Sequence, residues 1–406
     1  MRVNATAFGN KIAKLRRKAR MTQKELAVKL NVSDKAVSKW ENGGGYPEIT
    51  MLPALSEILG VSIDYLFKGD AHGIAIAGNI LVDVVNIIDK YPQKNMLCNI
   101  LKTTYAVGGC VPNTIINLAK IDSDMFLTAI GKVGEDENGR YVISQLRKYG
   151  VDVSGIKADA SEITASSNVM SEEVSGERTF FYTSGANSSF DVDDVDIDSL
   201  DCSILHVGYI RLLETLDKKD EEYGRRMARL LAKAQAKGIK TSVDAISREG
   251  ENVADEIIPT LKYCNYAILN EIESCAVTGL SPRNADGSIS VENIKATMEQ
   301  FIEFGVKDKV IVHCCEAGFS LDSDGKFVVV PSLKLPDGFI KGSVGAGDAY
   351  AAACLYGLYK DFDDEHLLEF AAAAAACNLM EPDSVSGMKN REEIEKLNKM
   401  YERRTL

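Results

Sequence analysis

Residues 342–348 read Gly-Ser-Val-Gly-Ala-Gly-Asp and run into the apolar, Ala-rich stretch 349–359. Gly345, Ala346 and Gly347 carry almost no side chain, so their N–H groups can lie close against a ligand. They open a predicted helix whose N-terminal end favours negative charge. Amides converging in this way make an anion hole, suited to the charge on a transferring phosphoryl group. Asp348, at its edge, is placed to accept the proton of an attacking hydroxyl. Phosphoryl transfer needs mainly positioning and charge stabilisation, so one carboxylate and a set of amides suffice. The same residues also fit a tight turn in which Asp348 is only a helix N-cap, and the segment alone does not choose between the two.

Those residues need elements to hold them. Residues 74–85, IAIAGNILVDVV, give one continuous apolar strand signal of the kind expected in a buried parallel sheet. Further strands are predicted at 125–130, 202–210, 240–246, 266–270 and 309–315, with helical runs at 139–150, 223–238 and 290–305 between several of them. This alternation predicts an α/β fold, a mostly parallel sheet covered by helices on both faces. Segments 84–107 and 164–186 break the rhythm and read as a small β flap, a lid over one end of the sheet. Ligands in open sheets of this kind bind beyond the carboxyl ends of the strands, where motif-bearing loops converge. The run 370–380, FAAAAAACNLM, is expected to be a helix packed closely beside a ligand pocket. Residues 389–406 read as a solvated charged helix, with 396–406 set apart as a charged tail.

At 406 residues the chain exceeds the usual ceiling for one hydrophobic core, which predicts two domains. Its 45% apolar and 26% charged residues are ordinary for a soluble globular protein. No run of about 18 apolar residues is present to span a membrane, and the first 20 residues lack the apolar core of a secretory signal, so a cytoplasmic protein is expected. The nine cysteines are scattered without a C-x-x-C pair and are expected to be buried thiols in a reducing compartment. His72, His206, His313 and His366 show no ligand spacing. Charge is divided unevenly: residues 1–70 hold 12 Lys+Arg against 7 Asp+Glu, and the rest holds 35 against 52. A basic head on an acidic body predicts that the head meets a polyanion.

In that head, Phe8, Ile12 and Leu15 share one face of a predicted helix over 8–18, and Lys11, Lys14, Arg16, Arg17 and Lys18 cover the rest. Thr22 with Glu25 three residues later signals a capping box. Residues 31–33 make a short turn, and Ser33 caps a third helix stopped by Gly43 to Gly45. Two short helices follow, around 47–60 and 62–67. Helix, three-residue turn, helix is the geometry that places one helix in a major groove. Over residues 8–67 the chain resembles the phage-repressor (Xre-type) helix-turn-helix family. The resemblance implies an all-α DNA-binding domain over 1–67, joined by a polar linker, 68–73. Gln23 would hold a phosphate at a helix N-terminus. Ser33, Asp34, Lys35 and Ser38 would read bases from the outward face, Lys39 would favour the backbone, and Trp40 would sit in the core. One such domain offers few phosphate contacts, so a homodimer on double-stranded DNA with paired half-sites is expected. A helical bundle kept only for dimerisation is the alternative.

In the body, the segments GNILVD (78–83), GGCVPN (108–113), GKVGEDENG (131–139), GERTFFYTSGAN (176–187), NEIE (270–273) and GSVGAGD (342–348) occur in order. Together, over roughly 73–390, they resemble the PfkB (ribokinase-like) carbohydrate kinase family. The resemblance implies a ribokinase-like kinase domain over 74–395 that uses ATP and Mg²⁺. It makes Asp348 the catalytic base and Gly345, Ala346 and Gly347 the anion hole. Asp83 would grip sugar hydroxyls, with Gly108, Gly109 and Asn113 on the sugar's other side; a carboxylate and an amide together offer a polyol acceptors and a donor. Asn270 and Glu273 match an N-x-x-E pair that organises Mg²⁺ through water. Gly318 matches the last glycine of a nucleotide-side loop, and Ser343, just before the anion hole, keeps a hydroxyl for the nucleotide. Arg178, in the flap, and Arg248 would reach substrate. The family's D-T pair is replaced here by Gly342 and Ser343, which removes a carboxylate tied to a monovalent-cation loop and leaves that cation an open requirement. His313, Cys315 and Ile246 also depart from the family pattern. No extra basic residues stand in the sugar loops, so an unphosphorylated small sugar is the expected substrate. Ribose, fructose, a keto-deoxy sugar acid and a nucleoside all remain open. The alternative is a transcriptional regulator that keeps the kinase fold only as a sugar or nucleotide sensor.

Overall fold

The computed structural model describes residues 5–19, 21–61, 63–67, 73–174, 177–246 and 253–406. The head is built from α1 (Ala5–Lys18), α2 (Gln23–Leu30), α3 (Asp34–Glu41), α4 (Leu52–Leu59) and α5 (Ile63–Phe67). Thr22 and Glu25 make the predicted capping box, and Ser33 Oγ accepts the Ala36 N–H at 3.1 Å. Asn31, at φ 54°, ends α2 and starts the turn. Phe8, Ile12, Leu26, Val37, Trp40 and Leu55 form the head's core. Arg16 and Glu41 are buried beside it in a two-pronged pair at 2.6 and 2.9 Å, joined by the Gln23 amide at 2.7 Å. The predicted linker lies outside the described residues as far as residue 72, and Gly73 already opens the first strand.

The body begins with β1 (Gly73–Gly78), β2 (Leu81–Ile88), β3 (Ile100–Gly108), α6 (Cys110–Ile121), β4 (Leu127–Gly134), α7 (Glu137–Lys148), β5 (Asp152–Asp159), β6 (Ala165–Glu172) and β7 (Arg178–Thr183). It continues with β8 (Cys202–Ile210), the short β9 (Lys219–Asp220) and β10 (Gly224–Arg225), α8 (Arg226–Ala236), β11 (Lys240–Ala245), α9 (Val253–Leu261), β12 (Tyr266–Asn270), α10 (Glu271–Thr278) and α11 (Val291–Glu303). It closes with β13 (Lys309–His313), β14 (Ala317–Asp322), β15 (Phe327–Pro331), α12 (Ala346–Tyr359), α13 (Asp364–Asn378) and α14 (Arg391–Met400). The main sheet runs β15-β14-β13-β12-β11-β8-β1-β4-β5, parallel throughout except for β14 and β15 at one edge. Alternate residues of β1 feed different cores: Ile74 and Ile76 pack with α6, α12 and α13, while Ala75 and Ala77 face the layer that includes α8 and α11. Burial on both faces is why this strand reads as unbroken apolar sequence.

Three expectations are corrected here. The stretch 74–85 is two strands in two sheets: β1 lies in the main sheet, and β2 belongs to the lid. The break falls at Gly78, at φ 141°, where a Cβ would collide with the Gly208 carbonyl. The charged tail is no separate unit. Helix α14 crosses its expected start, Ile394 is fully buried, and backbone bonds from Lys334 to Glu402 (2.7 Å) and from Arg404 to Ser332 (2.9 Å) tie the last residues to the body. Of the cysteines, all nine are free thiols, but Cys98 and Cys314 are half-buried and Cys315 is exposed.

The lid is a four-stranded sheet, β3-β2-β6-β7, drawn from the two segments that break the α/β rhythm. Its roots explain two of the sequence motifs. Asn187 holds Ile80 through both its N–H and C=O at 3.1 Å, and Asn79 Oδ1 accepts the Cys110 N–H at 3.0 Å. Asp136 caps α7 and also accepts from Thr164 N (2.7 Å) and Oγ1 (2.6 Å), pinning the start of β6. No helix among the described residues is long and apolar enough to cross a membrane.

Candidate active site

The carboxyl ends of the central strands open onto a cleft of about 280 Å³. Tyr209 from β8, Asp244 from β11, Asn270 and Glu273 at the start of α10, and His313 from β13 line it together with Gly345, Gly347 and Asp348. Helix α12 begins as expected, with Gly345 as N-cap at φ 75°. A side chain there would also collide with Ser384, so the fold itself demands glycine at 345. Gly347 is different. A Cβ added there meets only His313 Cε1, at an ordinary 3.7 Å, and the residue is exposed to the cleft. The space over Gly347 is room for a ligand, and the first amides of α12 have no acceptor within their own helix.

Asp348 is buried and held by two donors. The Tyr209 hydroxyl donates to Oδ1 at 2.5 Å, and Asn113 Nδ2 donates to Oδ2 at 2.9 Å. Asn113 is in turn fixed by Ser384 Oγ, which donates to its Oδ1 at 2.8 Å. Burial pushes Asp348 up to about 7; the Tyr209 hydrogen bond opposes that, Asp244 adds to it, and Asn113 and His206 oppose it. A carboxylate that titrates near neutrality, with lone pairs left over, can take a proton from a hydroxyl.

The residues expected to meet sugar lie where the lid strands join α6: Asp83 in β2, Gly108 at the end of β3 and Gly109 as the cap of α6. Asp83, half-buried in β2, is pushed up to about 6 by burial. A Cβ on Gly108 would collide with its carboxylate, and one on Gly109, at φ 88°, would strike the Asn79 carbonyl at 2.7 Å. The glycines therefore let the start of α6 lie against Asp83 and Asn79. Arg178 starts β7, but its side chain, like the whole of Arg248, lies outside the described residues.

On the opposite flank, Asn270 and Glu273 form a capping box for α10: Asn270 Oδ1 accepts the Glu273 N–H at 2.8 Å, and Glu273 accepts the Asn270 N–H at 3.2 Å. The N-x-x-E spacing thus also builds the helix start that presents it. Gly318 does not sit in a loop. It lies in β14, where the absent Cβ makes room for the Tyr350 hydroxyl. Ser343 is exposed, and its carbonyl accepts the Ala346 N–H at 3.3 Å. Gly342 packs against Pro382, whose Cα would be 2.7 Å from an added Cβ, so a larger residue here would need the 381–382 backbone to shift. His313 stacks on Tyr350 at 4.6 Å between ring centroids, and burial pushes it down to about 4, so its ring is neutral. Tyr209, Ser384 and Asp244 were missed as contributors to the site. Their only signal was position, at the carboxyl end of a strand for Tyr209 and Asp244.

In the head, Ser33, Asp34, Lys35 and Lys39 are exposed along α3 and its cap. Ser33 is committed to capping, and Ser38 Oγ accepts from Asn42 Nδ2 at 3.3 Å. Gln23 is half-buried, and its amide donates to Glu41.

Residues 72–391 match the pfkB family carbohydrate kinases. The chain belongs to that family. A helix-turn-helix model matches residues 12–66. In Clostridium perfringens a 5-dehydro-2-deoxygluconokinase is 29% identical over 276 residues, covering 66% of this chain and 77% of that protein. The HTH-type transcriptional activator BcrR of Enterococcus faecalis is 43% identical over 63 residues, 16% of this chain and 31% of its own. Among solved structures, Arabidopsis thaliana ribokinase complexed with ribose and ATP superimposes with a TM-score of 0.68 at 20% identity, covering 81% of this chain and 99% of its own. A putative ribokinase II from E. coli in complex with ATP and Mg²⁺ gives 0.63 at 20% identity, with the same coverage. These two share the ribokinase-like fold with this pfkB family chain, whose head is a helix-turn-helix domain.

Proposed function

We propose that this chain transfers the γ-phosphoryl group of ATP to a hydroxyl of a small unphosphorylated sugar or sugar acid, and that its head binds double-stranded DNA. The observation that carries the first half is the pairing of a buried base, Asp348, with the open space over Gly347. Asp348 accepts the proton of the attacking hydroxyl, while Tyr209 and Asn113 fix its orientation. The first amides of α12 stabilise charge on the phosphoryl oxygens. Asp83 and the Gly108–Gly109 turn grip the other sugar hydroxyls, and Arg178, which starts lid strand β7, is the candidate for a further substrate contact. The oxygens of Asn270 and Glu273 suit a hard, hydrated cation, and they would hold Mg²⁺ through water. Bound there, Mg²⁺ would offset phosphate charge. The 5-dehydro-2-deoxygluconokinase relative favours a keto-deoxy sugar acid among the open substrates.

In the head, Lys35 and Lys39 on the exposed face of α3 would meet the DNA, with Ser33, Asp34, Ser38 and Gln23 around them. Tyr105 and Phe181 lie in one row across the same face of the lid sheet and are more than half exposed, a surface that suits the expected homodimer. ADP release would be measured against 5-dehydro-2-deoxygluconate, ribose, fructose and nucleosides, with Asp348→Asn as control. Turnover of one compound, lost in the variant, is expected. Ligand binding without turnover of any of them would leave a sensor in place of a kinase.

A further inference from the structure

Behind the catalytic carboxylate, three elements bring together groups that the sequence keeps far apart. Cys110 lies at the start of α6, His206 in β8 and Asp244 in β11, and all three are buried. Their ligating atoms lie within 4.8 Å of one another. His206 Nε2 is 3.4 Å from Asp244 Oδ2, and Cys110 Sγ is 4.0 Å from the same oxygen. Ligands around a tetrahedral Zn²⁺ stand about 3.4–3.6 Å apart, given bond lengths of about 2.0–2.3 Å. The Asp244 oxygen is already near such spacing from both partners, and closing all three groups on an ion takes movements of about 1 Å or less per side chain.

Two further observations point the same way. Asp244 Oδ1 is buried without a hydrogen-bond partner, and His206 Nε2 has only a long, poorly directed approach to Asp244 Oδ2, a cost that folds seldom leave standing. The histidine ring is also oriented for the task. Its other nitrogen, Nδ1, lies 3.0 Å from Ser242 Oγ, which turns Nε2 toward Cys110 and Asp244, as outer hydrogen bonds do for metal-binding imidazoles.

We propose that Cys110, His206 and Asp244 form a transition-metal site, of Zn²⁺ type, separate from the nucleotide's Mg²⁺. The donor set of one sulfur, one imidazole nitrogen and one carboxylate oxygen suits a borderline-soft ion and not Mg²⁺ or Ca²⁺. Binding forms a metal–sulfur bond and releases the Cys110 thiol proton to solvent. Thiolate and carboxylate together then cancel the charge of the dication, so a neutral unit remains in the apolar interior. Asp244 also lines the cleft beside Tyr209 and Asp348, which gives an ion a path in from the cleft.

The test uses the full chain, freed of metal and without nucleotide, titrated with Co²⁺. One Co²⁺ per chain is expected, with a thiolate-to-cobalt charge-transfer band that Zn²⁺ then abolishes. Cys110→Ala should lose the band, whereas Cys314→Ser/Cys315→Ser, which removes the most accessible vicinal thiols, should keep it. A folded wild-type chain that gives no band overturns the site, and so does a band that survives Cys110→Ala. Should Cys110→Ala not fold, zinc-edge X-ray absorption of the wild-type chain decides: one sulfur among nitrogen and oxygen neighbours is expected, and none or two would refute it.

Discussion

Asp348 sits between two donors in a buried pocket, and its ionisation sets when the site can act as a base. Burial raises its proton affinity to about 7 from an ordinary 3.8, with Tyr209, Asp244, Asn113, His206 and Cys110 around it. The neutral form is the one the fold favours. Its contribution to stability is full below about pH 4 and is lost as pH rises through 7. The proposed role as base needs the opposite form, so kcat/KM should fall about tenfold per pH unit below pH 7. Asp348→Asn should remove that limb and lower kcat roughly 10²–10⁴-fold. The Tyr209 hydroxyl stabilises the charged carboxylate, so Tyr209→Phe should move the limb to higher pH; an unmoved limb would mean that Tyr209 does not tune the base. Asp348 and Asn113 stood out in the sequence only through the ordered set of motifs that resembles the pfkB family, since each residue alone also fits a helix cap or a turn. Tyr209 did not, because nothing beside it in the chain distinguishes a tyrosine that reaches the site from one that packs.

Elements explain why two glycines in one motif differ. Gly345 is fixed by its positive φ and by Ser384, so Gly345→Ala should destabilise the chain by about 1–2 kcal/mol or more in thermal unfolding. Gly347→Ala meets only His313 Cε1, at ordinary contact distance, and should change stability by less than about 0.5 kcal/mol while sharply lowering phosphoryl transfer. Equal loss of stability in both variants would remove the argument that the space over Gly347 belongs to a ligand. In the head, α1 and α3 are locked by the buried Arg16–Glu41 pair. Burial pushes Glu41 up, but its bonds from Arg16 and Gln23 prevail and hold it below the usual carboxylate range. Glu41→Ala strands the guanidinium and should cost about 3–5 kcal/mol, read as a lower melting transition of the head in the full chain. Most elements were legible from period and caps, because parallel strands and amphipathic helices each leave a repeating mark. The jump from β1 to β2 was not, since both strands are apolar and only the backbone at Gly78 separates them. The docking of the last residues was equally hidden, because backbone pairing of 402–404 with 332–334 leaves no trace in residue type.

At the scale of the whole molecule, a basic helix-turn-helix domain and an acidic kinase share one chain and one surface of contact. The Lys11 ammonium stands 4.3 Å from the centre of the Phe126 ring, at the start of β4, the strand next to β1 in the sheet. The lid is rooted at the carboxyl end of β1, where Asn187 holds Ile80, and Phe126 lies at its amino end, so coupling between ligand and head would run the length of that strand. Coupling between two sites is a free energy, typically about 1–3 kcal/mol, and would change affinity about 5–150-fold. It must also be reciprocal. If the sugar substrate and a non-hydrolysable ATP analogue change the dissociation constant for a duplex from the protein's own upstream region, that duplex must change sugar binding by the same factor. The expected result is a matched pair of factors in that range, measured by fluorescence anisotropy for DNA and calorimetry for sugar, with Lys35→Glu abolishing the DNA arm and leaving sugar affinity intact. Operator affinity that ignores every ligand would leave two functions merely tethered, and unequal factors would show that one of the two measurements does not report equilibrium binding.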